Sequence, residues 1–249
     1  MPQSLDDLSH ALVEAALKAG AQAADAIAIR GQSVIVDMRG GTLEQAERAE
    51  GTDIGLRVLI GGRQANVSAS DTRPETIEAL ATRAVAMARE APEDPYAGLA
   101  APEEFARDWD LAALELCDPA AEPAPDALMQ MAQEAEAAAL RVAGVSQVQS
   151  ASAAYSHNAA HIAASNGFSG GYARTDTSLS CVAIGGTGTG MERDYDADSR
   201  VFASDLRGAE EIGRIAGERT VERLGARRPR TGAYPVLFDE RISGGARPG

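Results

Sequence analysis

Three histidines, two cysteines and one run of alternating charges are the side chains of this sequence best suited to chemistry. His157 and His161 stand four residues apart, a spacing that on a helix would bring two imidazoles to one face as metal ligands. Their neighbours argue against a helix. The string "AAYSHNAAHIAASNG" has Ser, His and Asn at its centre and runs into Asn166-Gly167, a strong hairpin signal, so residues 157–159 read as a turn. No Glu follows the first histidine, as metal-assisted hydrolysis of the H-E-x-x-H type would need. His10 falls near polar positions of a helical stretch and reads as a surface residue. Cys117 and Cys181 lie outside any CxxC and read as small, buried or half-buried thiols rather than a disulfide framework. Three histidines do not assemble into a Ser-His-Asp or Cys-His relay.

The stretch "AIGGTGTGMERDYDADSR" offers two further candidates. Gly185 and Gly190 have the separation of a Walker loop, but Met191 stands where the phosphate-binding lysine belongs. Gly186, Gly188 and Gly190 have the wrong third spacing for a dinucleotide fingerprint and lead into a strand-like segment rather than a helix. The glycines are better explained as a loose hairpin connection, where positive φ carries no steric cost. In the charged run that follows, alternation on an edge or solvent-facing strand is the ordinary reading, and binding of a cation or a peptide terminus the sharper one. Arg193, Asp194, Tyr195 and Asp198 are its candidate contacts with a peptide or a partner. Arg227, Arg228 and Arg230 complement a helix C-terminus and need no ligand.

These residues must be positioned by an α+β scaffold. Ser4 can cap a helix carrying Leu5, Leu8, Leu12, Ala16 and Leu17 at helical spacing, stopped by Gly20. From Ala24 to Asp71 the period falls to two. The strings "DAIAIR", "SVIVDMR", "TLEQAERAE", "DIGLRVLI" and "RQANVSAS", separated by Gly31, Gly40-Gly41, Gly51 and Gly61-Gly62, predict five strands of an antiparallel meander. Pro74 opens a second helix with Ile77, Leu80, Ala84, Val85 and Ala88 on one face. Residues 1–94 therefore form a two-layer domain of helices on an antiparallel sheet. Six prolines between 92 and 125 mark residues 95–125 as an extended connector, anchored by Tyr96, Leu99, Phe105 and Trp109. Residues 126–249 repeat the order helix, sheet, helix as a second, β-rich α+β domain. Its last helix runs from about Asp205 to Leu224, and "AYPVLFDE" reads as a closing strand. The tail "RISGGARPG" has nothing to bury, which suggests either a flexible terminus or an incomplete chain.

Composition narrows the function. The chain has 249 residues, a net charge of −14 and 45% apolar residues, so it can build a core, while its charge opposes nucleic-acid binding. No apolar run reaches a membrane span, and "MPQSLDD" has no signal-peptide character, which predicts a cytoplasmic protein.

Five strings resemble, in order, those of the TldD/PmbA proteins, historically called modulators of DNA gyrase. They are "GLRVLIGGRQANVSASD", "EDPYAGLA" (typical of the PmbA, or TldE, branch), "SNGFSG", "MERDYDADSR" and "RLGARRPRTGAYPVLFDERISG". The resemblance implies a cytoplasmic zinc-dependent peptidase, a TldD–TldE heterodimer that processes small unfolded peptides. It also implies that zinc is held by an HExxxH motif on a TldD-like subunit while the PmbA/TldE subunit completes the enclosed site. This sequence has no HExxxH, so no metal is expected on this chain and no catalytic residue is carried over. About the last third to half of a family member is expected to be missing. An extended peptide is the implied substrate, and self-association without the partner is left open. The rival implications are a non-enzymatic modulator linked to DNA gyrase and an inactive truncated family member.

Overall fold

Ser4 begins the first helix through a reciprocal cap. Its hydroxyl accepts the Asp7 N–H at 3.0 Å, and the Asp7 carboxylate accepts the Ser4 N–H at 3.2 Å. In the computed structural model, which describes residues 3–107 and 110–243, this cap opens α1 (Leu5–Lys18), whose Leu8, Leu12, Val13 and Ala16 are buried. Leu17 points outward.

The first half forms three long strands rather than five: β1 (Ala23–Arg39), β2 (Thr42–Ile60) and β3 (Arg63–Ala69). Gly31 and Gly51 do not punctuate. They face each other across the β1–β2 ladder, and Gly31 is also paired to Asn158 of β4, so extended backbone runs straight through both. Gly40 and Gly41 do turn the chain, with φ of 61° and 73°, the left-handed pair that a two-residue hairpin requires. The buried carboxylate of Glu136 accepts both turn amides, at 2.6 and 2.9 Å. After α2 (Pro74–Glu90) come α3 (Pro125–Leu140), β4 (Val145–Ala164), β5 (Ser169–Gly185), β6 (Glu192–Arg200), α4 (Ala209–Glu222) and the short α5 (Glu240–Ser243). Asn166-Gly167 turns β4 into β5 as its composition predicts, and Gly186–Met191 links β5 to β6 as an irregular connection. The expected turn at His157–Ala159 is absent. These residues are central strand, paired to β1 on one side and β5 on the other.

All six strands make one antiparallel sheet, in the order β3-β2-β1-β4-β5-β6. The α+β class holds, and each half has its own helix layer and core. One core packs α1 and α2 on β2, β3 and the start of β1. The other packs α3 and α4 on β4, β5 and the end of β1. The even-numbered residues of β1 are buried beneath the helices at both ends of the strand, from Ala24 to Met38. Alternation therefore turns Ile27 and Ile29 to the opposite, open face. Residues 42–51 of β2 extend past β3 as a fully exposed ribbon rich in Glu and Arg, charges that discourage edge-to-edge association.

The proline-rich segment behaves as a strap. Phe105 meets Phe168 edge-on at 5.4 Å, Asn166 donates to the Ala100 carbonyl at 2.8 Å, and Asp118 N–H donates to Thr175 Oγ1 at 2.8 Å. Tyr96, expected as an anchor, is 94% exposed, and Trp109 lies outside the described residues. The expected closing strand is also absent. Residues 233–239 find no partner strand among the described residues, and Leu237 is 98% exposed, because an extended segment without a neighbour has no ladder to join.

The two thiols differ sharply. Cys117 is exposed. Cys181 is fully buried in the second core, where desolvation, reinforced by Glu136 and Asp196, pushes its thiol up to about 12. A thiolate is the reactive form. A colorimetric thiol titration of the native chain should therefore give one equivalent promptly and the second only in denaturant.

Candidate functional site

The charged run becomes the edge strand β6, and its alternation separates two surfaces. Asp194, Asp196 and Asp198 face the helix layer, and their side chains are only 7%, 5% and 10% exposed. The expectation of a solvent-facing charge ladder fails here. Each carboxylate instead meets arginines from the segment that follows. Asp196 lies between Arg219 Nη1 at 2.6 Å and Arg207 Nη1 at 2.8 Å. The latter approach is an ion pair off the hydrogen-bonding line, since Asp196 Oδ2 accepts no aligned hydrogen bond. Asp194 bridges Arg223 Nε at 2.8 Å and Arg241 Nη1 at 2.9 Å. Burial opposes ionisation of Asp194, but the Tyr195 N–H and the two guanidinium groups outweigh it and hold its carboxyl below the usual range. Asp198 is lowered in the same way, burial being outweighed by the Arg207 N–H and by Arg200.

Arg193 and Tyr195 point to the other face. Arg193 donates to Gln149 Oε1 at 3.1 Å. Tyr195 is half exposed, with the Arg241 guanidinium 5.0 Å from its ring centroid. Arg241 also donates to the Tyr195 carbonyl at 2.8 Å. Of the four sequence candidates, Arg193 and Tyr195 therefore offer accessible groups, while Asp194 and Asp198 form the frame behind them. Sequence reading missed the frame's cations. Arg219 in the last turn of α4 and Arg223 at its C-cap stand four apart, a spacing that marks one helix face, whereas Arg241 sits in a segment that reads as tail.

The histidines also rearrange. His157 and His161 share a strand, where a rise of about 3.3 Å per residue sets them roughly 13 Å apart. They are not a pair. His161 instead meets α1: its Nε2 is 3.3 Å from Asp6 Oδ1, its Nδ1 is 2.7 Å from Ser9 Oγ, and its ring centroid is 5.9 Å from that of His10. His10 Nδ1 is 2.9 Å from the same Asp6 oxygen. The i, i+4 signal was present in the sequence, between Asp6 and His10 on a true helix. Nothing local pointed to His161, which arrives through the β1–β4 pairing.

Two family models match the sequence in the order of its two halves. The first domain of the PmbA/TldA metallopeptidases covers residues 24–88, and their central domain covers residues 118–224. Together they span well over half of the chain. The chain belongs to the PmbA/TldD family. Among its relatives are Metalloprotease PmbA of Escherichia coli O157:H7, 31% identical over 213 residues, 85% of this chain and 47% of that protein. A Metalloprotease PmbA homolog of Haemophilus influenzae is 32% identical over 230 residues, 91% of this chain and 49% of its own length. The chain thus spans about half the length of the relatives it matches. A Bacteroides thetaiotaomicron structure described as a modulator of DNA gyrase superposes with a TM-score of 0.80 at 25% identity, covering 90% of this chain and 51% of that one. TldE from Thermococcus kodakarensis shares the fold, with a TM-score of 0.68 at 16% identity over 86% of this chain and 47% of its own.

A metallopeptidase family implies a metal, and the PmbA/TldD residues present here do not fit a hydrolytic one. The sequence contains no HExxxH. Among the described residues the metal-competent group is Asp6, His10 and His161, which has no glutamate beside a histidine to serve as general base. No hydrolytic step is assigned to this chain. No described helix is long and apolar enough to cross a membrane.

Proposed function

We propose that this PmbA/TldD member is a TldE-like subunit of a cytoplasmic TldD/TldE-type peptidase that processes small unfolded peptides. It contributes walls and backbone contacts, while the hydrolytic zinc belongs to a TldD-type partner. The observation that carries this reading is family membership combined with 31% identity to a PmbA protein over 85% of this chain. The open face of the sheet and the edge strand β6 support it. An extended peptide can add to an exposed strand edge through main-chain hydrogen bonds, which give affinity with little sequence preference, and on β6 it would have to displace the side chains of Asp194 and Arg241 from the Tyr195 N–H and C=O. Arg193 and Tyr195 are the proposed peptide or partner contacts, and Asp194 and Asp198 hold β6 in place for them.

Co-expression with a TldD-type protein, followed by cleavage of an unstructured peptide, tests the proposal. Cleavage should require both chains, and the double variant Arg193→Ala, Tyr195→Ala should lower it about 10-fold, the equivalent of losing one good contact of about 1.4 kcal/mol. Equal cleavage with and without this chain would overturn the reading.

A further inference from the structure

We propose that Asp6, His10 and His161 form a binding site for a single zinc-class divalent cation. The three side chains offer one carboxylate oxygen and two imidazole nitrogens, all within 4.8 Å of one another. Two ligands at about 2.0–2.1 Å from a tetrahedral zinc stand roughly 3.3 Å apart, and the spacing of Asp6 Oδ1 from His161 Nε2 is 3.3 Å. His10 Nδ1 also meets the Asp6 carbonyl at 3.0 Å and would give up that contact to ligate; at 47% side-chain exposure the ring has room to turn, and water can complete the coordination.

The hydrogen bonding around His161 gives the set its direction. A serine hydroxyl has one hydrogen, and Ser9 gives it to the Asp6 carbonyl at 3.0 Å. The 2.7 Å contact between Ser9 Oγ and His161 Nδ1 therefore requires the imidazole to donate. A neutral His161 then carries its lone pair on Nε2, 3.3 Å from Asp6 Oδ1, with the Ser169 hydroxyl more distant at 3.5 Å. A metal ion fits between those two atoms, and a fixed Nδ1–H leaving Nε2 free is the arrangement that outer-shell partners impose on metal-bound histidine. Ser9 is fully buried, so the orientation is built in. Gly171 makes room for the ring: a Cβ there would come within 2.4 Å of the Ala160 carbonyl and 3.0 Å of His161 Cδ2. The donor set selects the metal, because two imidazoles with one carboxylate suit zinc, nickel or copper, whereas magnesium and calcium prefer oxygen alone. A bound ion would fasten α1 to β4.

Titration calorimetry of the untagged, chelator-stripped full chain with zinc chloride tests this. One equivalent should bind saturably, while magnesium chloride gives no matching heat. His161→Gln and Asp6→Asn should each weaken zinc binding at least tenfold, Ser9→Ala about 10- to 100-fold through the lost orientation, and His157→Gln not at all. Asp6 lies 59% exposed at its side chain, so that variant folds even where a change at His161 does not. Absence of saturable zinc binding, or binding unchanged in both Asp6→Asn and His161→Gln, would overturn the site and leave the three side chains as a hydrogen-bonded staple.

Discussion

Chains carrying Gly213→Val should fail to assemble the second helix layer, and even Gly213→Ala should lose about 1–3 kcal/mol or more. Two effects compete at this position. Alanine in place of a mid-helix glycine gains up to about 1 kcal/mol of helix propensity, which taken alone predicts a more stable protein. Packing opposes it. A Cβ on Gly213 would sit 2.0 Å from the carbonyl oxygen of Ala135 and 2.8 Å from its carbon, and both are backbone atoms of α3 that no rotamer change can move. Relief requires α3 and α4 to separate, which uncovers Ala132, Ala135 and Ala139 from Ile212 and Ala216. Packing therefore wins. Thermal unfolding followed by circular dichroism reads the outcome, with Gly190→Ala as control, since a Cβ there meets nothing within 4 Å. A Gly213→Ala variant as stable as its parent would show that the two helices do not approach this closely.

The second large effect is expected at Asp196, whose replacement by alanine should cost about 2–4 kcal/mol. Its carboxylate is 5% exposed and separates two guanidinium groups, each 30% exposed. Removing one partner of a fully buried pair costs about 3–5 kcal/mol. The partial hydration of Arg207 and Arg219 moves the expectation below that. The neighbouring carboxylates add a pH dependence whose sign is fixed. Asp194 and Asp198 ionise more readily in the folded chain than in the unfolded one. Their contribution is therefore complete above the ordinary carboxylate range and disappears as pH falls below about 4, through their lower folded values. Chemical denaturation between pH 7 and pH 3 should show stability falling at the acid end, and Asp194→Asn should flatten that fall. An unchanged acid slope in Asp194→Asn would show that the Arg223 and Arg241 pairs contribute nothing in solution.

Local chemistry made much of this fold legible. The Ser4 cap, the Pro74 helix start and the Gly40-Gly41 and Asn166-Gly167 turns all depend on interactions within a few residues, and all can be read from the chain. Gly31 and Gly51 were misleading because a glycine inside a strand looks like a turn until its neighbours on both sides are known. The same limit applies to the candidate sites. Alternation showed that Asp194, Asp196 and Asp198 share a face, but which face is set by Arg207, Arg219, Arg223 and Arg241, up to 47 positions away. The His161–Ser9 contact spans 152 positions and exists only because β4 lies beside β1. The segment at 233–239 has the composition of a strand, yet composition cannot supply the neighbour that a strand requires.

The placement of β1 in the middle of the sheet has a consequence for biosynthesis. Its first-half partner β2 follows at once, but Asp25 pairs on its other side with Ala164, and at about 5–20 residues per second translation takes on the order of ten seconds to reach it. Throughout that interval the nascent polypeptide displays a long row of unsatisfied backbone donors and acceptors at the ribosome surface. The price of fusing two cores through one shared ribbon is therefore a window of exposure, during which chaperones have a ready target and aggregation its best opportunity.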